Sequence, residues 1–164
     1  MNQIGGEAVK GALHEVFEGA WRLEREIPDV GHATGSAHFE MVAQRTAHYR
    51  EDLILQLNNG ARYRASREYR YDFFDDAIQL YYRDGPKSGE PFILLARPLG
   101  SALGPRSLEG IHTCGLDSYR GTVTLLADDR FTLQFLVEGP RKDLRILSHF
   151  RRQTPPYSGS AVPI

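Results

Sequence analysis

Apolar and polar residues alternate along most of this chain, which is the pattern of β-strands that bury one face. The clearest example is residues 117–125. The same alternation returns at 131–137 and 144–150, after turns at 127–130 and at Gly139-Pro140, where proline has no N–H to donate. These three segments predict an antiparallel meander.

Six more strands are predicted upstream, because the alternation recurs between turn-forming residues. They are residues 21–27, 36–44, 48–57, 61–73, 78–82 and 92–96. A loop that contains Gly31 and Gly35 is predicted to lead into the second of them. Asn58-Asn59-Gly60 is a hairpin signal between the third and the fourth.

Three segments depart from the alternation. Residues 6–17 place apolar side chains at helical spacing and predict one short amphipathic helix. Residues 97–109 are rich in glycine, proline and serine and form the longest predicted loop, a candidate lid or portal. Residues 153–164 predict an extended or disordered tail.

The predicted fold is all-β: a single antiparallel up-and-down β-barrel of about eight to ten strands with one short N-terminal helix. A meander of this length exposes two edges, and closure into a barrel removes both. Residues 1–164 are expected to form one domain, with the helix at about 6–17, the barrel at about 18–152 and the tail at 153–164. Such a barrel has room for its side chains and one small ligand.

Composition narrows the function. The chain has 164 residues, of which 25% are charged and 41% apolar, with a formal net charge of −1. This charge offers no electrostatic footprint for nucleic acid, and no apolar run approaches a membrane span. The N-terminal residues lack the apolar core of a signal peptide, and the single cysteine excludes an internal disulfide. We therefore expect a cytoplasmic protein that binds a small molecule rather than nucleic acid or a membrane, with its oligomeric state left open.

Three motifs resemble those of the lipocalins and their calycin relatives. Gly19-Ala20-Trp21, which opens the first strand after a short helix, resembles the G-x-W motif. Asp117-Ser118-Tyr119 resembles the T-D-Y motif, with one residue inserted. Arg151 or Arg152 resembles the basic residue that packs over the tryptophan and closes the barrel bottom. Arg152 is the better candidate for this structural role because it is in phase with Phe150.

The whole pattern most resembles an uncharacterised lipocalin-like family, domain of unknown function 6314, over about residues 17–152. The segments His112-x-Cys114-x-x-Asp117-x-Tyr119 and Gly139-Pro140-Arg141-Lys142-Asp143 carry part of that resemblance. It implies a lipocalin-like barrel. It implies no activity and no cofactor, because the family has no assigned activity to carry over.

Four ionisable residues fall on strand faces that otherwise look buried: Arg25, Glu51, Arg67 and Asp117. Isolated charges inside a barrel would cost several kcal/mol each, so these residues should pair or face a wet cavity. One interpretation is a buried network that fixes strand register. The other is the polar end of a ligand cavity, to which Tyr69 and Tyr119 also contribute, since arginine suits carboxylate, phosphate or carbonyl groups. A ligand is then expected to enter near the 97–109 loop, with Arg25 or Arg67 holding its polar head.

His112, Cys114 and Asp117 are the candidate catalytic residues, because a thiol, an imidazole and a carboxylate together can form an activated nucleophile. No glycine-rich oxyanion turn accompanies them, and their spacing is unlike that of paired zinc ligands, so no metal and no cofactor are predicted. The segment 139–143 invites a phosphate-loop interpretation but lacks a following helix. A hairpin turn with solvated charges is favoured there.

Three hypotheses for function remain. The first is an intracellular binder of a small, partly apolar, anionic ligand held in the barrel by Arg25, Glu51, Arg67, Tyr69, Asp117 and Tyr119. The second is a small barrel enzyme that uses His112 and Asp117, with or without Cys114, for acid–base chemistry. The third is a protein-interaction scaffold whose barrel is filled by its own side chains.

Overall fold

The computed structural model describes residues 12–98 and 106–153. Within these residues, one helix, α1 (Leu13–Phe17), precedes ten antiparallel strands. The strands are β1 (Gly19–Ile27), β2 (Gly31–Ala43), β3 (Thr46–Leu57), β4 (Arg62–Phe73), β5 (Ala77–Tyr82), β6 (Pro91–Ala96), β7 (Ser107–Cys114), β8 (Asp117–Ala127), β9 (Arg130–Gly139) and β10 (Lys142–Arg152). Each strand pairs with its neighbours in sequence, and β10 pairs with β1 to close the barrel. The predicted all-β, up-and-down barrel is therefore confirmed.

Two strand assignments from the sequence were wrong, and glycine explains both. β2 begins at Gly31 rather than at residue 36, so the predicted loop is strand. A Cβ at Gly35 would lie 2.0 Å from the carbonyl oxygen of Asp52, so the two backbones approach too closely for a side chain. β7 was not predicted as a strand of its own; it begins at Ser107, inside the predicted loop, and a Cβ at Gly110 would lie 1.9 Å from the carbonyl oxygen of Leu94.

Other predicted segments fall partly outside the described residues. The helix is described from Leu13, and Ala12 before it is extended, with φ −69° and ψ 152°. The remainder of the predicted helix at 6–11, the centre of the 97–109 loop at 99–105, and the tail at 154–164 lie outside the described residues. Among the residues that the structure does describe, no helix has the length and apolarity needed to cross a membrane.

The two ends of the barrel differ, and α1 covers one of them, which we call the closed end. Phe17 of α1 is buried against Phe131, with ring centroids 4.7 Å apart. Trp21 is fully buried, and its Nε1 donates a hydrogen bond to the Phe17 carbonyl at 2.9 Å. The Arg152 guanidinium lies 4.4 Å from the Trp21 ring centroid and donates to the carbonyls of Val16 and Glu18. Arg152, rather than its neighbour Arg151, thus joins α1 to the barrel.

The opposite, open end carries the hairpin turns β1–β2, β3–β4, β5–β6, β7–β8 and β9–β10. Because the strands alternate in direction, β6 ends and β7 begins at the closed end, where α1 lies. Arg97 accordingly lies 4.0 Å from Asp76, in the β4–β5 turn. The 97–109 loop was expected at the open end of the barrel, and its described flanks lie at the closed end instead.

Candidate functional site in the barrel

A cavity of about 220 Å³ occupies the half of the barrel nearest the open end. Its wall is mainly aromatic and aliphatic, with four polar side chains. The lining residues are Tyr49, Tyr69, Tyr71, Phe92, Tyr119, Phe135, Leu80, Leu133, Val137, Ile146, Arg25, Glu51, Arg67 and Ser148. The described side chains thus leave the barrel interior only partly filled, whereas the scaffold hypothesis requires a filled interior.

A compensated ion pair forms the floor of this cavity. Arg25 donates from Nη1 and Nη2 to the two carboxylate oxygens of Glu51 at 2.8 and 2.9 Å, and from Nε to Ser148 Oγ at 2.8 Å. The Tyr49 hydroxyl donates to the same carboxylate at 2.5 Å. Burial disfavours the charge on Arg25, but the hydrogen bonds and charge of Glu51 outweigh it and raise the pKa of Arg25.

The sequence positions this pair through small residues on the intervening strand. Arg25 lies on β1 and Glu51 on β3, so the arginine must cross β2 to reach the carboxylate. The register partner of Arg25 on β2 is Ala33, and that of Glu51 is Ala37; both alanines are buried. Their short side chains leave the guanidinium room to pass.

Tyrosines shape the cavity wall above this floor. Burial raises the pKa of Tyr69 to about 12, and it raises the pKa values of Tyr49 and Tyr71 well above their usual range. These phenols therefore remain neutral at physiological pH. They offer a ligand flat apolar faces and hydroxyl groups rather than charge.

The mouth of the cavity carries two of the four inward charges, each with its own partner. Arg67 lines the cavity, but its side chain is 56% exposed and lies 3.6 Å from Asp84. Asp117 does not line the cavity; it forms a 3.1 Å ion pair with Lys142 at the rim. Of the four residues, Arg25 and Glu51 thus pair with each other, whereas Arg67 and Asp117 pair with residues outside this set.

The candidate catalytic residues do not form one constellation. No hydrogen bond or ion pair joins any two of His112, Cys114 and Asp117 in the part of the chain that the structure describes. Cys114 Sγ instead accepts a hydrogen bond from Lys87 Nζ at 3.0 Å. Nor do the described residues include a cluster of three or more histidine, cysteine, aspartate or glutamate side chains suited to a metal ion.

His112 lies against the cavity wall. Its ring centroid is 5.4 Å from that of Phe92 and 5.9 Å from that of Tyr119. Its Nε2 is inaccessible to solvent and has no hydrogen-bond partner among the described residues. Burial, and then the positive charge of Lys87, lower the pKa of His112, which favours the neutral imidazole.

Comparison with protein families identifies the chain. Residues 17–152 match the model of the family of unknown function DUF6314. The chain belongs to this family. The resemblance inferred from the sequence motifs is therefore confirmed. A comparison with curated protein sequences gives no match.

Solved structures that are similar to this DUF6314 protein include a phycobiliprotein lyase and a redesigned β-barrel. The S-type phycobiliprotein lyase CPES from Guillardia theta is 8% identical, with a TM-score of 0.62 over 87% of this chain and 92% of the lyase. A redesigned β-barrel, mFAP1, bound to DFHBI, is 12% identical, with a TM-score of 0.49 over 87% of this chain and 100% of the design. At 8% identity, the likeness to the lyase shows a shared barrel fold and nothing about activity.

Sequence reasoning missed three polar residues of the site in this DUF6314 protein. Ser148 had a signal, because it is a small polar residue in phase with Ile146 and Phe150 on an inward face. Asp84 and Lys87 had none beyond the turn-forming residues of the β5–β6 connection. Their contacts with Arg67 and Cys114 depend on how that connection folds over the mouth.

Proposed function

We propose that this protein binds a small, largely apolar molecule in the barrel cavity and holds a polar or anionic group of that molecule at the mouth. The observation that carries the proposal is the aromatic-walled cavity of about 220 Å³ above a compensated polar floor. This volume is slightly below the range of about 300–1,000 Å³ typical of ligand pockets, so the ligand should be small.

The position of the charges supports the orientation of the ligand. Arg25 directs all three guanidinium nitrogens at Glu51 and Ser148, and a deep anion would meet the negative charge of Glu51. At the mouth, Arg67 is half-exposed, and its 3.6 Å approach to Asp84 is too long for a hydrogen bond. An arginine held this loosely can offer its paired donors to a carboxylate or phosphate.

Arg67→Met tests the proposal, with 2-naphthoate and its neutral isostere 2-naphthamide as probes. The variant keeps a side chain of similar length and an apolar stem but removes the guanidinium group. The free energy of naphthoate binding should therefore weaken by about 1.5–3 kcal/mol, while naphthamide should bind nearly as before. Arg62→Met is the matched control, because Arg62 is exposed on the same strand and does not line the cavity. Calorimetric titration measures all the affinities.

A second variant tests whether the probes occupy the cavity. Ile146→Phe adds volume to a lining position and should weaken both probes together. If neither probe binds, or if Arg62→Met and Arg67→Met reduce naphthoate affinity equally, the proposed site is wrong. Native mass spectrometry of freshly purified protein would identify a co-purified natural ligand.

A further inference from the structure

The barrel wall has a step at β4, which is longer than its neighbour β5. β4 pairs with β3 from Arg62 to Asp72, but with β5 only from Tyr69 to Phe73. Beyond that pairing, the β5–β6 connection covers Glu68, whose N–H donates to Asp84 at 2.9 Å and whose carbonyl accepts from Arg83 at 3.2 Å. Among the described strands, residues 62–67 therefore have a neighbour on one side only.

The backbone directions along this edge follow from Glu68. Its N–H and C=O both point away from β3, and in an antiparallel pair the direction repeats at every second residue. Arg62, Arg64 and Ser66 consequently direct their N–H and C=O groups at the free side. The odd-numbered residues point the other way, as expected, because the carbonyl of Ala61 accepts a hydrogen bond from Leu57 N across the β3–β4 hairpin. Three residues thus present a ready ladder for one more strand.

The side chains along the edge are basic on the outer face. Arg62 and Arg64 are exposed and stand opposite Gln56 and Ile54 on β3, so neither has an acidic neighbour directly across the pair. Asp52, opposite Ser66, already accepts two hydrogen bonds from Arg50 at 2.9 and 3.0 Å.

The inner face of the same edge is exposed and largely apolar. Tyr63 is 56% exposed, although it lies on the face that is inward elsewhere in the barrel, and Ala65 beside it is also exposed. A strand added here would alternate its side chains between the two arginines outside and Tyr63 with Ala65 inside.

We propose that the free edge of β4, residues 62–67, binds an acidic extended segment of a partner protein as an additional β-strand. Acidic side chains of the segment would lie beside Arg62 and Arg64, and apolar ones would pack on Tyr63 and Ala65. A second copy of this chain is the less suitable occupant. Antiparallel pairing of two such edges would bring arginine against arginine, and like charges directly opposite destabilise a strand pair.

The probe is a capped, fluorescein-labelled heptapeptide in which valine and glutamate alternate. One control is the same peptide with lysine in place of glutamate, which reverses its charge. The other is an N-methylated valine–glutamate peptide, which lacks the backbone N–H groups that a strand pair needs. Fluorescence anisotropy should show binding of the valine–glutamate peptide alone. Arg62→Glu/Arg64→Glu should weaken it about tenfold, from two lost cross-strand pairs, and should create binding of the valine–lysine peptide. Arg120→Glu/Arg145→Glu changes the net charge equally at two exposed arginines of β8 and β10, and should have little effect.

Arg64→Pro separates strand addition from simple charge attraction. This change removes one N–H from the free side and leaves the hydrogen bonds to β3 in place. It should therefore weaken binding of the valine–glutamate peptide without unfolding the barrel. Tryptophan fluorescence would verify that the variant is folded. Undiminished binding in Arg64→Pro, or equal binding of the N-methylated peptide, would overturn the proposal, as would equal loss in Arg120→Glu/Arg145→Glu. A concentration-dependent dimer that Arg64→Pro abolishes would make a second copy the occupant instead.

Discussion

Replacing Glu51 by glutamine perturbs the buried charge pair with little change in shape. The carboxylate accepts two hydrogen bonds from Arg25 and one from Tyr49, and its residue is only 4% exposed. Glutamine keeps one oxygen acceptor, but its amide NH₂ must then face a donor from Arg25 or Tyr49. The variant therefore loses at least one charge-assisted hydrogen bond and leaves Arg25 without a counter-charge.

The structure sets the size of this effect. A hydrogen bond to a charged group contributes about 1.5–3 kcal/mol, and breaking a fully buried ion pair costs about 3–5 kcal/mol. The Arg25 side chain is 19% exposed, so water entering from the cavity can solvate part of its charge. We therefore expect Glu51→Gln to lower the free energy of unfolding by about 2–3 kcal/mol.

Urea denaturation followed by the fluorescence of Trp21 measures this change, since urea carries no charge and does not screen ion pairs. Glu24→Gln is the matched control, because Glu24 is 58% exposed and pairs with Arg22 at 3.5 Å; it should change stability by less than about 0.5 kcal/mol. In Arg25→Met/Glu51→Gln the two losses should not add, because each change removes the same interaction. Equal effects of Glu51→Gln and Glu24→Gln, or additive losses in the double variant, would contradict a stabilising role for the buried ion pair.

Two further predictions concern the closed end and the cavity wall. Arg152→Met should lower the free energy of unfolding by about 1.5–3 kcal/mol, because it leaves two carbonyls of the α1 region without their charged donor and uncovers Trp21. Arg151→Met is the control and should be nearly neutral in the same urea assay. The pKa of His112 is lowered from 6.5 in the folded state, so the unfolded state binds a proton more readily. Stability should then fall as the pH drops below about 7, and His112→Gln should show a shallower fall between pH 7 and 5; identical pH profiles would contradict the prediction.

The sequence predicted most of the strands, because alternation reports directly which face of a strand is buried. It failed where glycine replaced a side chain for backbone reasons. Gly31 and Gly35 look like loop residues, yet β2 passes so close to β3 that a Cβ would meet the opposing backbone. At Gly110, β7 likewise passes so close to the backbone of β6 that no Cβ would fit. A pattern of side chains cannot report a backbone approach that requires the side chain to be absent.

The site was predicted in part for a different reason. The phase of a strand gives the face of a residue but not its depth along the barrel axis. Arg67 is the register partner of Glu51, yet it is half-exposed because β5 ends at Tyr82 and no longer covers that level. Asp117 is the first residue of β8 and therefore lies at the rim. Depth depends on where neighbouring strands end, and the sequence predicted those ends less well than the faces.

Depth also decides which arginine can take part in recognition. A charge enclosed by the barrel must have its counter-charge before any ligand binds, because an unpaired buried charge would destabilise the folded state by its desolvation energy. Arg25 accordingly directs its nitrogens at Glu51 and Ser148, and a ligand anion could reach it only by breaking contacts on which the fold depends. Arg67 meets water at the mouth, so an anion there displaces solvent rather than a structural partner. The same residue type thus contributes to stability at one depth, and at the other it remains available to a ligand.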